Sequence, residues 1–205
     1  AFILMTNVLI LYPALFKCYS KFSRKVMKIT SSLGEAMLVY PADPNGFIQK
    51  ICEENSESMT NKEFISWTPS DITHAIVFDD GEEFLEETAR LKESGKPLRV
   101  IGISITRVIN IKAAPEYQSG KSTPSYEYIG RGSYWGNPYS MYEEGDEREE
   151  VIRKYKYDFD YEKFPNKEKS EVYKLAGKRL GCFCKPQACH GDVLADFLNS
   201  WDDGK

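Results

Sequence analysis

The chain has no surplus of positive charge. Its 27 basic and 31 acidic side chains leave a formal net charge of -4. Neither the part up to Lys112 nor the remainder has a basic excess. A sequence-blind clamp on a polyanion needs a basic face, so non-specific nucleic-acid binding is not expected, although a local basic pocket stays compatible with this balance. No run of about 20 apolar residues is present, the length a membrane-spanning helix requires. Phe2–Met5 and Val8–Leu11 are apolar, but Thr6 and Asn7 interrupt them. No basic stretch precedes them, and no small-x-small cleavage site follows before Tyr12-Pro13. The segment reads as a buried first strand that needs nothing before Met5, and no membrane is expected among the partners. Nor are the five cysteines spread in pairs: Cys18 and Cys52 stand alone, while Cys182, Cys184 and Cys189 crowd together. That is the pattern of a reduced cytoplasmic protein with one thiol cluster, not of a secreted disulfide scaffold.

Enough apolar material is there for a core. The 205 residues are 41% hydrophobic and 13% aromatic, which suits one large or two small globular domains. Val8–Leu11 is a continuous apolar run ended by Tyr12-Pro13, as expected of a parallel strand buried on both faces. Apolar residues at helical spacing predict a helix over Ser20–Leu33. Strands are predicted at Ala36–Tyr40, Thr73–Phe78 and Leu98–Ile103, with helices at Phe47–Glu53 and Glu82–Ser94 between them. Strand–helix alternation predicts a small Rossmann-like α/β domain over residues 1–112, a parallel sheet with helices on both faces. Ligands of such sheets lie beyond the carboxyl ends of the strands, where Asp43 and Asp79 fall. Both are candidate ligand-binding residues and equally ordinary turn formers.

Four stretches carry a resemblance: Asn61-Lys62-Glu63, Trp67-Thr68-Pro69-Ser70-Asp71, Ile76-Val77-Phe78-Asp79-Asp80-Gly81 and Gly95-Lys96-Pro97-Leu98-Arg99-Val100-Ile101. They resemble the back half of the lonely-guy/DprA-like (SLOG) Rossmannoid superfamily and its deoxyribosyltransferase relatives. The resemblance implies a small nucleotide-type ligand. Tyr40-Pro41-Ala42-Asp43 stands where that superfamily carries a Gly-Gly phosphate loop. Without glycine the backbone cannot approach a phosphate in the usual way.

Residues 113–127, with Pro115, Gly120, Pro124 and several hydroxyl residues, read as a linker or loop before a small α+β domain over 128–205. Gly130-Arg131-Gly132-Ser133-Tyr134-Trp135-Gly136-Asn137-Pro138 sets a guanidinium, an amide and rings in an irregular loop. It suits a phosphate- or base-bearing ligand, with Arg131 on the anion, Trp135 stacking, and Ser133 and Asn137 as further contacts. Core packing by Trp135 is the plain alternative. Helices are predicted over Glu143–Asp158 and Lys167–Lys178. Cys182-Phe183-Cys184 and Cys189-His190-Gly191-Asp192 then place three thiols and an imidazole within nine residues, Cys189 and His190 at the start of a last helix. Three readings stay open. Cys182, Cys184, Cys189 and His190 hold a metal, with zinc the expected ion. Alternatively, His190, Asp192 and Cys189 do acid–base or nucleophilic work. The third reading is that the thiols are inert core.

The ordered pair Gly-Arg-Gly-Ser-Tyr-Trp-Gly-Asn-Pro and Cys-Phe-Cys-(four residues)-Cys-His-Gly-Asp resembles an uncharacterised family of phage and bacterial proteins. It implies that Arg131, Ser133, Trp135, Asn137, Cys182, Cys184, Cys189, His190 and Asp192 are the positions to watch. Joined to a lonely-guy-like domain, it implies nucleotide or nucleoside processing or sensing, at a glycosidic or phosphoester bond, in phage nucleotide metabolism or phage–host conflict, in the host cytoplasm if phage-encoded. A hydrolase or glycosyl-transferring enzyme is the favoured form, and a homo-oligomer is among the expected assemblies. A zinc-stabilised binding module for protein or nucleic acid, or a nucleotide-signal sponge, is the rival.

Overall fold

The computed structural model describes residues 5–117, 120–142 and 145–205. Phe2–Leu4, Ser119 and the expected helix start at Glu143 lie outside the described residues. The chain forms two units: one runs to Ile103 and takes in Asp202–Lys205, and the other is Ser104–Trp201.

The first unit is a parallel sheet of β1 (Thr6–Leu11), β2 (Ala36–Tyr40), β3 (Met59–Glu63), β4 (His74–Asp79) and β5 (Leu98–Gly102), in the order β3-β2-β1-β4-β5. Apolar Val8–Leu11 lies at its centre and is buried throughout. Helices α1 (Tyr19–Thr30), α2 (Phe47–Glu54) and α3 (Leu85–Ser94) make the crossovers. Right-handed connections that run opposite ways from β1 and β4 put α1 and α2 on one face and α3 on the other. The side chains agree. Phe22 of α1 stacks on Phe78 with centroids 5.2 Å apart, and Phe47 of α2 stacks on Tyr12 at 5.5 Å. On the opposite face Leu9, Leu11, Ala75 and Val77 pack with Trp67, Ile72 and Leu91 of α3.

Strand β3 is absent from the sequence expectation. It buries only Met59 and exposes its other four residues. As an edge strand it is held through the backbone to β2 and needs no apolar run. The last residues of the chain dock on α1: Arg24 pairs with Asp202 at 2.8 Å and Lys21 with Asp203 at 3.0 Å.

The second unit is α+β. Strands β6 (Arg107–Asn110), β7 (Ser122–Thr123), β8 (Tyr126–Tyr128) and β9 (Arg179–Cys182) form a sheet in the order β6-β9-β8-β7, antiparallel only at β7–β8. Helices α4 (Arg148–Asp160) and α5 (Gly191–Ser200) accompany it, with a 3-10 stretch at Lys169–Leu175 where the sequence suggests an α-helix. Ile129, Trp135, Tyr155, Phe159, Val172, Leu180 and Leu194 form its core. The backbone of Thr106 exchanges two hydrogen bonds with the buried Asn199 amide, at 2.8 and 3.0 Å, tying the end of α5 to the chain entering β6. This unit takes up strand β6, which composition assigned to residues 1–112. Its β7–β8 hairpin lies mostly within the stretch 113–127 expected as linker and ends at Tyr128. The hairpin buries one large side chain, Tyr126, stacked on Tyr117 at 4.7 Å. Its turn-forming residues therefore hide the pairing. Among the described residues no helix is long and apolar enough to cross a membrane.

Candidate functional site

The Ile129–Pro138 loop leaves the end of β8 as two consecutive turns. Ser133 N–H and Oγ both donate to the Gly130 carbonyl, at 3.1 and 2.7 Å, and Gly136 N–H donates to the Ser133 carbonyl at 3.1 Å. Gly132 takes φ +83°, a left-handed conformation that disfavours a side chain. Gly136 is required for space: a Cβ there would sit 2.6 Å from the Gly130 carbonyl oxygen. The buried Tyr155 hydroxyl of α4 donates to the Trp135 carbonyl at 2.8 Å. Trp135 is only 4% exposed and meets Phe159 edge-on. Its ring is core packing and does not face a ligand, which corrects the stacking role expected of it. Asn137 spends its amide on the scaffold, donating to the Val151 carbonyl at 3.1 Å and accepting Tyr139 N–H at 3.0 Å.

The thiol segment folds beside this loop. Cys182 ends β9, and His190 is the N-cap of α5. The three sulfurs of Cys182, Cys184 and Cys189 lie within 4.8 Å of one another, and Cys189 Sγ donates to Cys182 Sγ at 3.2 Å. Hydrogen bonding from Cys182, then from Cys189, holds the Cys184 thiol far below its usual range, with the Arg148 guanidinium adding to the effect. Cys189 is pushed up by the neighbouring sulfurs and by burial. His190 Nε2 lies 2.8 Å from the Ile129 carbonyl oxygen, which can only accept, so Nε2 carries the proton. Burial lowers the His190 pKa, so the ring is neutral, with Nδ1 bare and 3.6 Å from Cys189 Sγ. It does not belong to the close group of three sulfurs.

Both segments line one cavity of about 310 Å³, with mostly apolar walls. Arg131, Asn137, Cys182, Cys184, Cys189 and His190 all border it. Arg131 is exposed and makes no ion pair among the described residues. Three expected residues lie elsewhere. Ser133 closes its own turn. Asp192 accepts Cys189 N–H at 2.9 Å, pairs with Lys185 at 2.5 Å and borders a neighbouring groove. Trp135 is internal. The sequence reading missed Arg148, Tyr142 and Phe183. Arg148 borders the cavity and donates to the Ala188 carbonyl at 3.2 Å. Its position in a charged stretch at the start of a helix looked like an ordinary solvated face. Tyr142 and Phe183, 88% and 48% exposed, supply the accessible rings.

At the carboxyl edge of the first unit's sheet, the aspartates are capping groups. Asp43 accepts Ile48 and Gln49 N–H at 3.1 and 3.0 Å, and also the Tyr12 hydroxyl. Asp80 Oδ1 accepts Glu82 and Glu83 N–H, both at 2.8 Å, just before α3. Asp79 accepts Gly81 N–H at 2.8 Å in the same turn. The first-turn amides of α2, one place where such sheets receive an anion, are thus filled by the chain's own Asp43 carboxylate.

Residues 5–109 match the family model described as the minimal SLOG domain, and residues 114–200 match a domain of unknown function, DUF4326. The chain is 40% identical over 73 residues to the "Uncharacterized 12.4 kDa protein in nrdA-td intergenic region" of Enterobacteria phage T4, covering 35% of this chain and 65% of that protein. No solved structure matches.

Proposed function

The chain belongs to the minimal SLOG family, and on that premise we propose that it binds and processes a nucleotide- or nucleoside-type ligand in the cavity of its second unit. One observation carries the reading: two distant segments supply Arg131 and the Cys/His group to the same small cavity, joined by Arg148. A guanidinium can take a phosphate or carboxylate, and Tyr142 and Phe183 offer faces to a base. A volume of about 310 Å³ is at the small end for ligand sites and suits one nucleotide rather than a dinucleotide or a polymer. Self-capping by Asp43 argues against a phosphate at the start of α2, since it would meet a carboxylate there. His190, neutral with Nδ1 bare, is the acid–base candidate for cleavage at a glycosidic or phosphoester bond. Asp192 holds the Cys189–His190 turn in place. The protein acts in the cytoplasm, that of the host where a phage encodes it.

The three thiols suit zinc. Burial of Cys182 and Cys189 within the second unit's core favours one rival, a zinc-stabilised binding module without catalysis.

A thermal-shift screen over nucleotides and sugar nucleotides tests the reading. A ligand at 100 times its Kd stabilises by about 2.7 kcal/mol. Arg131→Ala and Arg148→Ala are expected to weaken the shift. No nucleotide raising Tm, or a rise untouched in both variants, refutes it. Chromatography of the best binder after incubation separates an enzyme, which yields product, from a sponge, which returns the ligand intact.

A further inference from the structure

We propose that zinc at Cys182, Cys184 and Cys189 is held by these three thiolates alone, with its fourth coordination position open to the cavity and filled by water or by a donor atom of the bound ligand. This rests on the cavity being the ligand site. It adds that the metal faces the ligand and is not sealed in the fold.

The geometry of the donors leads there. Tetrahedral zinc–sulfur bonds of about 2.3 Å set sulfurs about 3.8 Å apart, and these three lie within 4.8 Å of one another. The Cys182–Cys189 separation of 3.2 Å opens slightly on metal binding. Supporting donors are already aimed at the sulfurs: Cys184 N–H points to Cys182 Sγ and Gly191 N–H to Cys189 Sγ, both at 3.4 Å. Such outer contacts orient thiolate ligands and spread their charge.

Among the described residues no histidine or carboxylate joins the group. His190 Nδ1, the bare nitrogen, lies 3.6 Å from Cys189 Sγ but outside the group of mutually close sulfurs, and Asp192 pairs with Lys185. A closed structural zinc has four protein ligands, whereas three with a free position mark a site that exchanges water or substrate. All three cysteines border the cavity that Arg131 and Arg148 also line. Three thiolates on a divalent ion leave one negative charge, and Arg148 stands beside Cys184 to balance it. The fourth position then accepts a neutral donor with no charge left over, and an anionic one with Arg131 as the second counter-charge.

Cobalt(II) replaces zinc as a coloured probe, and azide serves as a small exogenous donor. The full chain is expected to bind one cobalt, with a sulfur-to-metal charge-transfer band and visible bands of a four-coordinate ion. Azide is expected to shift the visible bands. His190→Gln is expected to keep one metal per chain, and Cys184→Ala to lose it, with circular dichroism checking that both fold. Absence of stoichiometric metal in the reduced protein overturns the proposal. So do visible bands unmoved by saturating azide, or loss of metal in a folded His190→Gln chain, which would mean a closed four-ligand site. None of these readouts uses a nucleotide, so a failed nucleotide screen and a failed metal assignment are told apart.

Discussion

Replacing Gly136 by alanine tests whether the Ile129–Pro138 loop is held by backbone crowding rather than by glycine's flexibility. A Cβ at this position would lie 2.6 Å from the Gly130 carbonyl oxygen, with Ser133 O at 3.2 Å and Gly132 N at 3.3 Å. All three are main-chain atoms and none can rotate away. The loop must open by roughly half an ångström or more, a cost of about 1–3 kcal/mol by analogy with overpacked cores. At about 4–8 °C per kcal/mol for a domain of this size, Tm falls by roughly 4–24 °C. Gly132 is the control. It has φ +83° and open space around a Cβ, so alanine there costs only the left-handed backbone, about 1 kcal/mol. Asparagine tolerates that conformation and recovers part of the loss at 132, but at 136 it meets the same wall as alanine. Differential scanning calorimetry of the four single variants reads the pattern. Gly136→Ala melting with the wild type, or asparagine rescuing 136 as it does 132, refutes the crowding argument.

Three further outcomes are expected. Tyr155→Phe removes the hydrogen bond to the Trp135 carbonyl and strands that acceptor in the core, costing about 1–3 kcal/mol in urea unfolding. Asp43→Ala removes the cap on Ile48 and Gln49 N–H and costs about 0.5–2 kcal/mol, while a nucleotide-induced thermal shift keeps its size; loss of that shift would return Asp43 to the ligand site. Burial raises the Cys52 thiol to about 11, so the thiolate is scarce at pH 8. Its alkylation in the folded protein, followed by peptide mass spectrometry, is expected to be slow and to speed up about tenfold per pH unit below 11; rapid labelling at pH 8 would contradict the burial.

The first unit was legible where burial and apolarity coincide. Val8–Leu11 and Ala36–Tyr40 are short apolar runs with turn residues after them, and both are strands. Met59–Glu63 was not legible, because an edge strand paired through its backbone can be polar along its length. In the site, Arg131 and the thiol cluster were found because unusual residues stand close together in sequence. Trp135 was misread because an aromatic in a glycine loop looks the same from sequence whether its ring turns inward or outward. Its fate is decided by Phe159 and Tyr155, which local sequence does not reveal. Arg148 escaped for the complementary reason: only the folded segment Cys184–Ala188 brings it a partner.

Asp202–Lys205 is packed with the first unit although it follows the second along the chain. The clasp is ionic and lies near the surface, so it loosens as salt is raised while the apolar packing beneath α1 does not.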